Sequence, residues 1–472
     1  ALTLVLVVQE LARAPQSGWN DYRLARAGAL AYGYDLYPGA DEGPVLGYIY
    51  PPMTAVAFAP ASLVPHPTYA IVVGVATAWL LYSVPFVLLL YGASRGTGRL
   101  ALLLFLIFTL MTLHSRVLYP AGFRIHADAP ALGFGALACF FVQTSERRTT
   151  VGSLAASAVA ATLSVLSKQV MVFLPVALAG WIWTCDGTKA AARYAALLAA
   201  GGAVAGLLVV WAFDLDGLLF NAITVPASHP WQGGTTLEAI ERALRDLVPR
   251  AFAPAVVTAA AFASEVFSAA GRRRTFRSWL RENPWLLLAW VAALSVPTSV
   301  LGRVKVGGSL NTLAYTLYFL IAAALVAALR QAAVRRLASA IEAGALVFAA
   351  ATSALLAPRL AELAADFRAF PRNRETVAFE YVRDNPGEVY VPFRPLVNLI
   401  AEGRLYHLSQ GISDRELADR RVSEELLRAH LPPKMRLLLV EEPDDPILRR
   451  LPEYSVRVEE RRLPGWIVLR RR

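Results

Sequence analysis

Hydrophobic residues fall in long blocks along this chain, broken by short polar stretches. Blocks of roughly 15–25 apolar residues match the length a helix needs to cross a bilayer with its backbone hydrogen bonds satisfied internally. They predict spans at 67–92, 99–114, 129–144, 149–167, 169–185, 192–213, 250–269, 284–301, 310–330 and 337–357. The opening "ALTLVLVV" has no basic head and no cleavage site, so it reads as the end of one more span that begins before Ala1. The expectation is a mainly α, polytopic transmembrane bundle of about eleven spans over residues 1–357.

At about residue 358 the pattern changes. Polar helical stretches then alternate with short β-rich runs: "EVYVPF" (388–393), "MRLLLVEE" (435–442), "YSVRVEERR" (454–462) and "GWIVLRR" (465–471). Residues 358–472 are expected to form a small extracytoplasmic α/β domain. No internal repeat or low-complexity linker is found.

Composition agrees with this division. Of the 472 residues 56% are hydrophobic and 17% charged, and the mean hydropathy of +0.46 is too high for a soluble domain of this size. The two cysteines, Cys139 and Cys185, fall in or at the end of spans and suggest small buried hydrophobes, with no disulfide framework. Only four of the 46 basic residues are Lys, a bias typical of a GC-rich bacterial genome.

Charge sets orientation. One set of loops carries Arg95 and Arg99, Arg147 and Arg148, Lys189 and Arg193, "GRRRTFRSWLR" (271–281), and Arg330, Arg335 and Arg336, alternating with the rest. Read as cytoplasmic, these loops place 13–66, 114–128, the hairpin Ser167–Lys168–Gln169, 214–249, 302–309 and the tail on the outer face. The net charge of +11 is then largely membrane anchoring, with no nucleic acid partner implied. The basic loops are short and contain no phosphate-binding loop motif.

The unusual polar residues gather on the outer face. In "AGFRIHADAP", Asp128 before Ala129-Pro130 is a sound helix start, but capping leaves Arg124 and His126 unexplained. Ionisable groups held at an apolar boundary cost solvation unless they pair or bind something. For His126 a structural hydrogen bond and a ligand role both stand. Lys168 in "SVLSKQVMVFLP" reads either as a snorkelling anchor or as a cation for a lipid phosphate. Arg303 and Lys305 in "LGRVKVGGSLNTLAY" repeat that pattern against the positive-inside bias, with Gly307 and Gly308 beside them and Asn311 opening the next helix. His229 and Trp231 in "NAITVPASHPWQGG" suit an interfacial anchor or a substrate lid. Asp21 in "NDYRLARAGALAYGYDLYPG" is either a helix cap or a base.

The arrangement resembles the GT-C superfamily of membrane glycosyltransferases, nearest the protein O-mannosyltransferase and aminoarabinose-transferase branch. The likeness rests on Asp21 and Tyr22 in the first outer loop, "YIYPP" with Tyr50, "RIHADAP", the "LSKQ" hairpin and the tail domain. Where the family pattern has Asp-Glu, this chain has Asp21-Tyr22, one carboxylate in place of two. The resemblance implies a polyprenyl-phosphate-linked sugar as donor and a glycan, lipid or protein acceptor. It also implies a bacterial cytoplasmic membrane and transfer with inversion. Asp21 would be the base and Lys168, Arg303, Lys305 and Arg124 the cations for the leaving phosphate. Asp128 and His126 would position the acceptor or hold a divalent metal, Mg or Mn, for which Asp21 is a third candidate ligand. Tyr22, Tyr50, His126, His229, Trp231 and Asn311 would line the substrate. A secondary transporter is the alternative, but the ionisable midplane groups and repeated halves typical of one are missing. An undecaprenyl-linked glycan ligase would share the phosphate logic.

Overall fold

The computed structural model describes residues 2–94, 98–143, 149–232, 235–269, 275–335 and 338–472. Ala1, Thr144, Leu337 and several of the loop arginines expected on the cytoplasmic side (Arg95, Arg147, Arg148, Arg272, Arg273, Arg274 and Arg336) lie outside them.

Helices form at every expected span. Seven are long and apolar enough to cross a membrane: Pro67–Ala93, Gln169–Asp186, Thr188–Ala212, Thr236–Phe267, Trp285–Val304, Leu310–Ala333 and Ser339–Ala361. Three more, Gly98–His114, Asp128–Gln143 and Val151–Ser167, are shorter apolar helices, and Leu2–Arg13 occupies the first position. The helix Thr236–Ala269 starts well before the expected residue 250, because the polar run after Thr236 continues the same helix through Pro249 and Pro254. Thr188–Ala212 has no buried residue in its most apolar window, as expected of a wall that faces lipid.

Close packing in the bundle sets the position of two later residues. A Cβ on Gly133 would fall 2.0 Å from the Leu81 carbonyl oxygen, so glycine there lets the helix Asp128–Gln143 press onto Pro67–Ala93. On its other side, Ser164 Oγ donates to the Ala131 carbonyl at 2.7 Å and Ser157 Oγ to that of Ala138 at 2.9 Å. These bonds tie Val151–Ser167 to the Asp128 helix. The chain then breaks at Lys168, which is extended (φ −155°, ψ 126°), and resumes as a short 3-10 turn at Gln169. The start of one helix and the end of its neighbour are thereby brought together. Phe86, Phe108, Tyr82 and Tyr318 form the aromatic centre of the core, with the Phe86 and Phe108 rings stacked at 3.6 Å.

The tail carries a four-stranded sheet in the order β1-β2-β4-β3, with β1 Val389–Tyr390, β2 Leu437–Val440, β3 Tyr454–Val458 and β4 Ile467–Arg471. The strands form within the expected β-rich runs. β1 and β2 are parallel, joined through the helices Pro395–Glu402, Ser409–Leu417 and Glu424–Ala429; β4 is antiparallel to both β2 and β3.

The tail grips the segment between residues 13 and 66. Fully buried Arg394 pairs with Glu375 and Glu441 and donates to the carbonyls of Pro15 at 2.9 Å and Gln16 at 3.1 Å. Leu408 N–H donates to the Val45 carbonyl at 3.0 Å, and Val45 N–H to His407 Nδ1 at 2.9 Å. Gly47 (φ +60°) meets Gly411 so closely that a Cβ on it would lie 2.5 Å from the Gly411 Cα.

Candidate functional site

Asp128, at the start of its helix and fully buried, is the hub of a polar cluster. Lys168 Nζ lies 2.7 Å from Asp128 Oδ1, and Tyr315 OH donates to the same oxygen. Asn311 Nδ2 donates to Oδ2 at 2.6 Å, and His126 Nδ1 lies 2.8 Å from it. Four groups from three segments thus surround one carboxylate, and the rings of Tyr50 and Tyr315 each stand 5.3 Å from the Lys168 ammonium. Asp128, His126, Lys168, Tyr50 and Asn311 come together here, whereas Asp21 and Lys305 do not join them.

Burial pushes His126 down to about 4, against the pull of Asp128, so its imidazole is neutral at pH 7. His126 Nδ1 lies 2.8 Å from Asp128 Oδ2 and also accepts a bond from the Asp128 backbone N–H at 3.2 Å. Nε2 faces Asn311 Nδ2 at 3.4 Å, a long contact.

His126 also lines a narrow cavity of about 20 Å³, together with Arg23, Arg26, Tyr48, Tyr50 and Thr54. That is room for a water or the oxygen of a larger group, and not for a sugar ring. Arg23 donates to the Ile125 carbonyl at 3.4 Å, and Arg26 to the Leu46 carbonyl at 3.0 Å and to Tyr22 OH. Arg124 donates to Ser17 Oγ and lies over the Tyr119 ring. None of the three forms an ion pair with a carboxylate among the described residues. Burial, reinforced by the Arg124 and Arg26 charges, lowers Arg23 to about 10, which leaves it cationic at neutral pH. This concentration of positive charge beside a cavity is an anion site by composition.

Arg23 and Arg26 escaped the sequence reading, although the signal was present. Residues 23, 26 and 27 share one face of the helix Gly18–Ala31 and all line the cavity. Asp21, two residues before Arg23, points about 200° away from it. It is fully buried, accepts a hydrogen bond from Leu396 N–H at 3.0 Å, and abuts Glu375. The structure therefore places Asp21 against the tail rather than on the cavity. Burial and the Glu375 charge raise its carboxyl well above the usual range, outweighing Leu396 N–H and Arg394. Tyr22 likewise packs on the tail, stacking on Phe393 at 5.9 Å.

The other expected phosphate ligands are engaged within the protein. Lys305 Nζ donates to the carbonyls of Ala227 and His229, both at 2.8 Å, and lies 4.6 Å from the Trp231 ring. Arg303 pairs with Asp246 at 3.0 Å and donates to Gln232 and the Gly308 carbonyl. A backbone bridge between Trp231 and Lys305 joins the two loops. This assembly is a strut, and its signal in the sequence, cations against the positive-inside bias, has a structural cause. His229 is buried, with Nε2 at 3.1 Å from the Asp414 carbonyl oxygen, so it fastens the same loop to the tail helix Ser409–Leu417.

The three candidate metal ligands do not come together: Asp21 faces the tail, while Asp128 and His126 pair with each other. Among the described residues no group of three or more His, Cys, Asp or Glu side chains could hold a metal ion. Asp128 is already surrounded by an ammonium and three further donors, a setting that repels a divalent cation.

A membrane bundle with a buried polar cluster and a docked tail is a fold shared with solved membrane proteins. Among solved structures it is similar to ArnT, the aminoarabinose transferase, from Cupriavidus metallidurans bound to undecaprenyl phosphate. That likeness has 15% identity and a TM-score of 0.56 over 99% of this chain and 96% of that one. The apo state of the same enzyme matches with 13% identity and a TM-score of 0.55, over 99% and 96%. The archaeal oligosaccharyltransferase AglB from Archaeoglobus fulgidus, in complex with an inhibitory peptide and a dolichol-phosphate, covers 93% of this chain and 69% of its own, with 11% identity and a TM-score of 0.43. No family model and no curated protein sequence matches the chain.

Proposed function

We propose that the protein is an integral-membrane glycosyltransferase of the bacterial cytoplasmic membrane. It moves a sugar from a polyprenyl-phosphate donor to an acceptor hydroxyl on the extracytoplasmic face. The observation that carries this reading is the set of guanidiniums without carboxylate partners, Arg23 and Arg26 with Arg124 nearby, around a cavity that also holds His126. The undecaprenyl phosphate in the ArnT complex supports the same class of donor.

Arg23 and Arg26 hold the donor phosphate and stabilise the charge that grows on it as the bond from the anomeric carbon to the phosphate oxygen breaks. The acceptor oxygen attacks the same carbon, and its proton passes to His126 Nε2. The required tautomer has Nδ1–H donated to Asp128 Oδ2, 2.8 Å away, in exchange for the bond that Nδ1 accepts from Asp128 N–H at 3.2 Å, and the phosphate leaves as the dianion. Attack opposite the leaving group inverts the anomeric centre. The approach of the donor's negative charge raises the proton affinity of His126 at the moment a base is needed. Lys168 neutralises Asp128 and thereby holds the hub in place.

The test is to incubate purified protein with a panel of polyprenyl-phosphate sugars and to follow release of polyprenyl phosphate. Turnover that survives in the Arg23→Gln, Arg26→Gln double variant would remove the cavity from the reaction. An absence of both binding and turnover across the panel would overturn the assignment.

A further inference from the structure

The tail helix Ser409–Leu417 has two working faces. Gly411, Asp414 and Arg415 look toward the segment between residues 13 and 66: Gly411 packs on Gly47, and Arg415 donates to the carbonyls of Gly39 and Ala40. Ser413, Glu416 and Leu417 lie on the other side of the helix and open into a cleft of about 630 Å³. Its remaining walls are Arg421, Val422, Arg449 and Arg450.

Three guanidiniums in this cleft face one carboxylate. Arg450 is mostly buried and held in place, donating to the Val422 carbonyl at 2.7 Å and reaching Glu416 at 3.4 Å. Arg449 approaches Glu416 only at 4.0 Å and is otherwise exposed, and Arg421 forms no ion pair among the described residues. The cleft therefore carries an excess of about two positive charges, presented by planar forks that suit oxyanions. Its volume lies within the range of small-molecule sites and exceeds what a single phosphate needs. No aromatic side chain lines it, so a nucleobase has nothing to stack on. Leu417 and Val422 give one apolar wall and Ser413 a hydroxyl, the combination that suits a sugar ring.

We infer that this cleft binds a saccharide carrying a phosphate, with Arg421, Arg449 and Arg450 on the oxyanion and Leu417 against the ring. The site is separate from the cavity at His126 and stands whether or not the protein transfers sugars. Because it shares a helix with the contacts on Gly39, Ala40 and Gly47, an occupied cleft borders the loop that carries Tyr48 and Tyr50.

Binding is measured on the full chain in detergent at low salt, by titration calorimetry, with glucose 6-phosphate, inorganic phosphate and glucose as probes. Glucose 6-phosphate is expected to bind most tightly and glucose not measurably. The Arg421→Ala, Arg449→Ala double variant is expected to lose about tenfold or more in affinity at an unchanged melting temperature, since both side chains are exposed. Glu416→Gln, which removes the one opposing charge, is expected to tighten binding. Equal affinity for inorganic phosphate and the sugar phosphate overturns the proposal. So does an unchanged affinity in the double variant, or weaker binding in Glu416→Gln.

Discussion

Lys168 Nζ sits 2.7 Å from Asp128 Oδ1, and both side chains are almost wholly withdrawn from solvent. The pair joins the end of one helix to the start of another that the chain has already laid alongside it through Ser157 and Ser164. Removing the ammonium leaves a buried carboxylate that keeps its hydrogen bonds but has lost its counter-charge, which costs about 3 kcal/mol or more. Lys168→Met is therefore expected to lower thermal stability in detergent by roughly that amount. The double variant with Asp128→Asn is expected to recover much of the loss. Additive losses across the cycle would show that the two groups do not act as a pair.

Donor affinity should follow the cavity arginines and ignore the strut. Arg26→Gln removes a charge-assisted contact worth about 1.5–3 kcal/mol, which is about a 10–100-fold weaker dissociation constant for undecaprenyl phosphate. Lys305→Gln, at a side chain that holds the Ala227 and His229 carbonyls, is expected to leave that constant unchanged while lowering the melting temperature. The reverse pattern would return the phosphate site to the loop at 303–305.

In the proposed mechanism His126 gives sugar transfer a pH signature. Burial lowers its value to about 4, so the free enzyme carries the neutral base at neutral pH and loses it as pH falls through about 4. kcat/KM is expected to stay flat from neutral pH down to that region and then to fall. His126→Ala is expected to lose about 100-fold or more in kcat with donor binding retained. An acid limb that persists in the variant would assign the titration to another group.

The membrane helices were legible because burial in lipid imposes a single requirement, a long apolar run. Asp128, His126, Lys168 and Asn311 could be singled out as polar groups at span ends, but the expected meeting of Asp21 with Lys168 and Lys305 does not occur. The division of roles among charged residues was not legible. Asp21 and Arg23 are neighbours in the chain, yet the helical turn sends one to the tail and the other to the cavity. Lys305 and Arg303 fall at the end of the helix Trp285–Val304, but carbonyls and Asp246 on a distant segment satisfy them. A reading of local sequence has no access to such partners, because they are set by tertiary packing.

Gly47 is where the tail fits the loop that bears Tyr48 and Tyr50. Its φ of +60° disfavours any side chain, and a Cβ would lie 2.5 Å from the Gly411 Cα. Gly47→Ala is expected to destabilise the tail's docking by about 1–3 kcal/mol, seen as faster limited proteolysis between the last span and β1. Unchanged proteolysis would show that the tail is seated by its other contacts alone.

Asp21 and Glu375 carry a prediction about pH. Both carboxyl groups are fully buried and adjacent, and Asp21 Oδ2 and Glu375 Oε2 each lack a hydrogen-bond partner in the structure. Glu375 is bound to Arg394, which also contacts Glu441, so the proton belongs on Asp21, between the two orphaned oxygens. Burial raises both groups, Asp21 well above its ordinary value. The folded state then holds a proton that the unfolded chain releases near about 4. This contribution to stability is full below that value and is lost as pH rises through the raised one. The melting temperature of the wild type is expected to decline with rising pH over this interval. Asn at position 21 keeps the acceptor for Leu396 N–H and offers a permanent N–H to Glu375. Asp21→Asn is therefore expected to flatten the decline, to be at least as stable at neutral pH, and to retain sugar transfer. A variant as pH-sensitive as the wild type would show that the two acids share no proton, and loss of transfer in a stable variant would return Asp21 to the reaction.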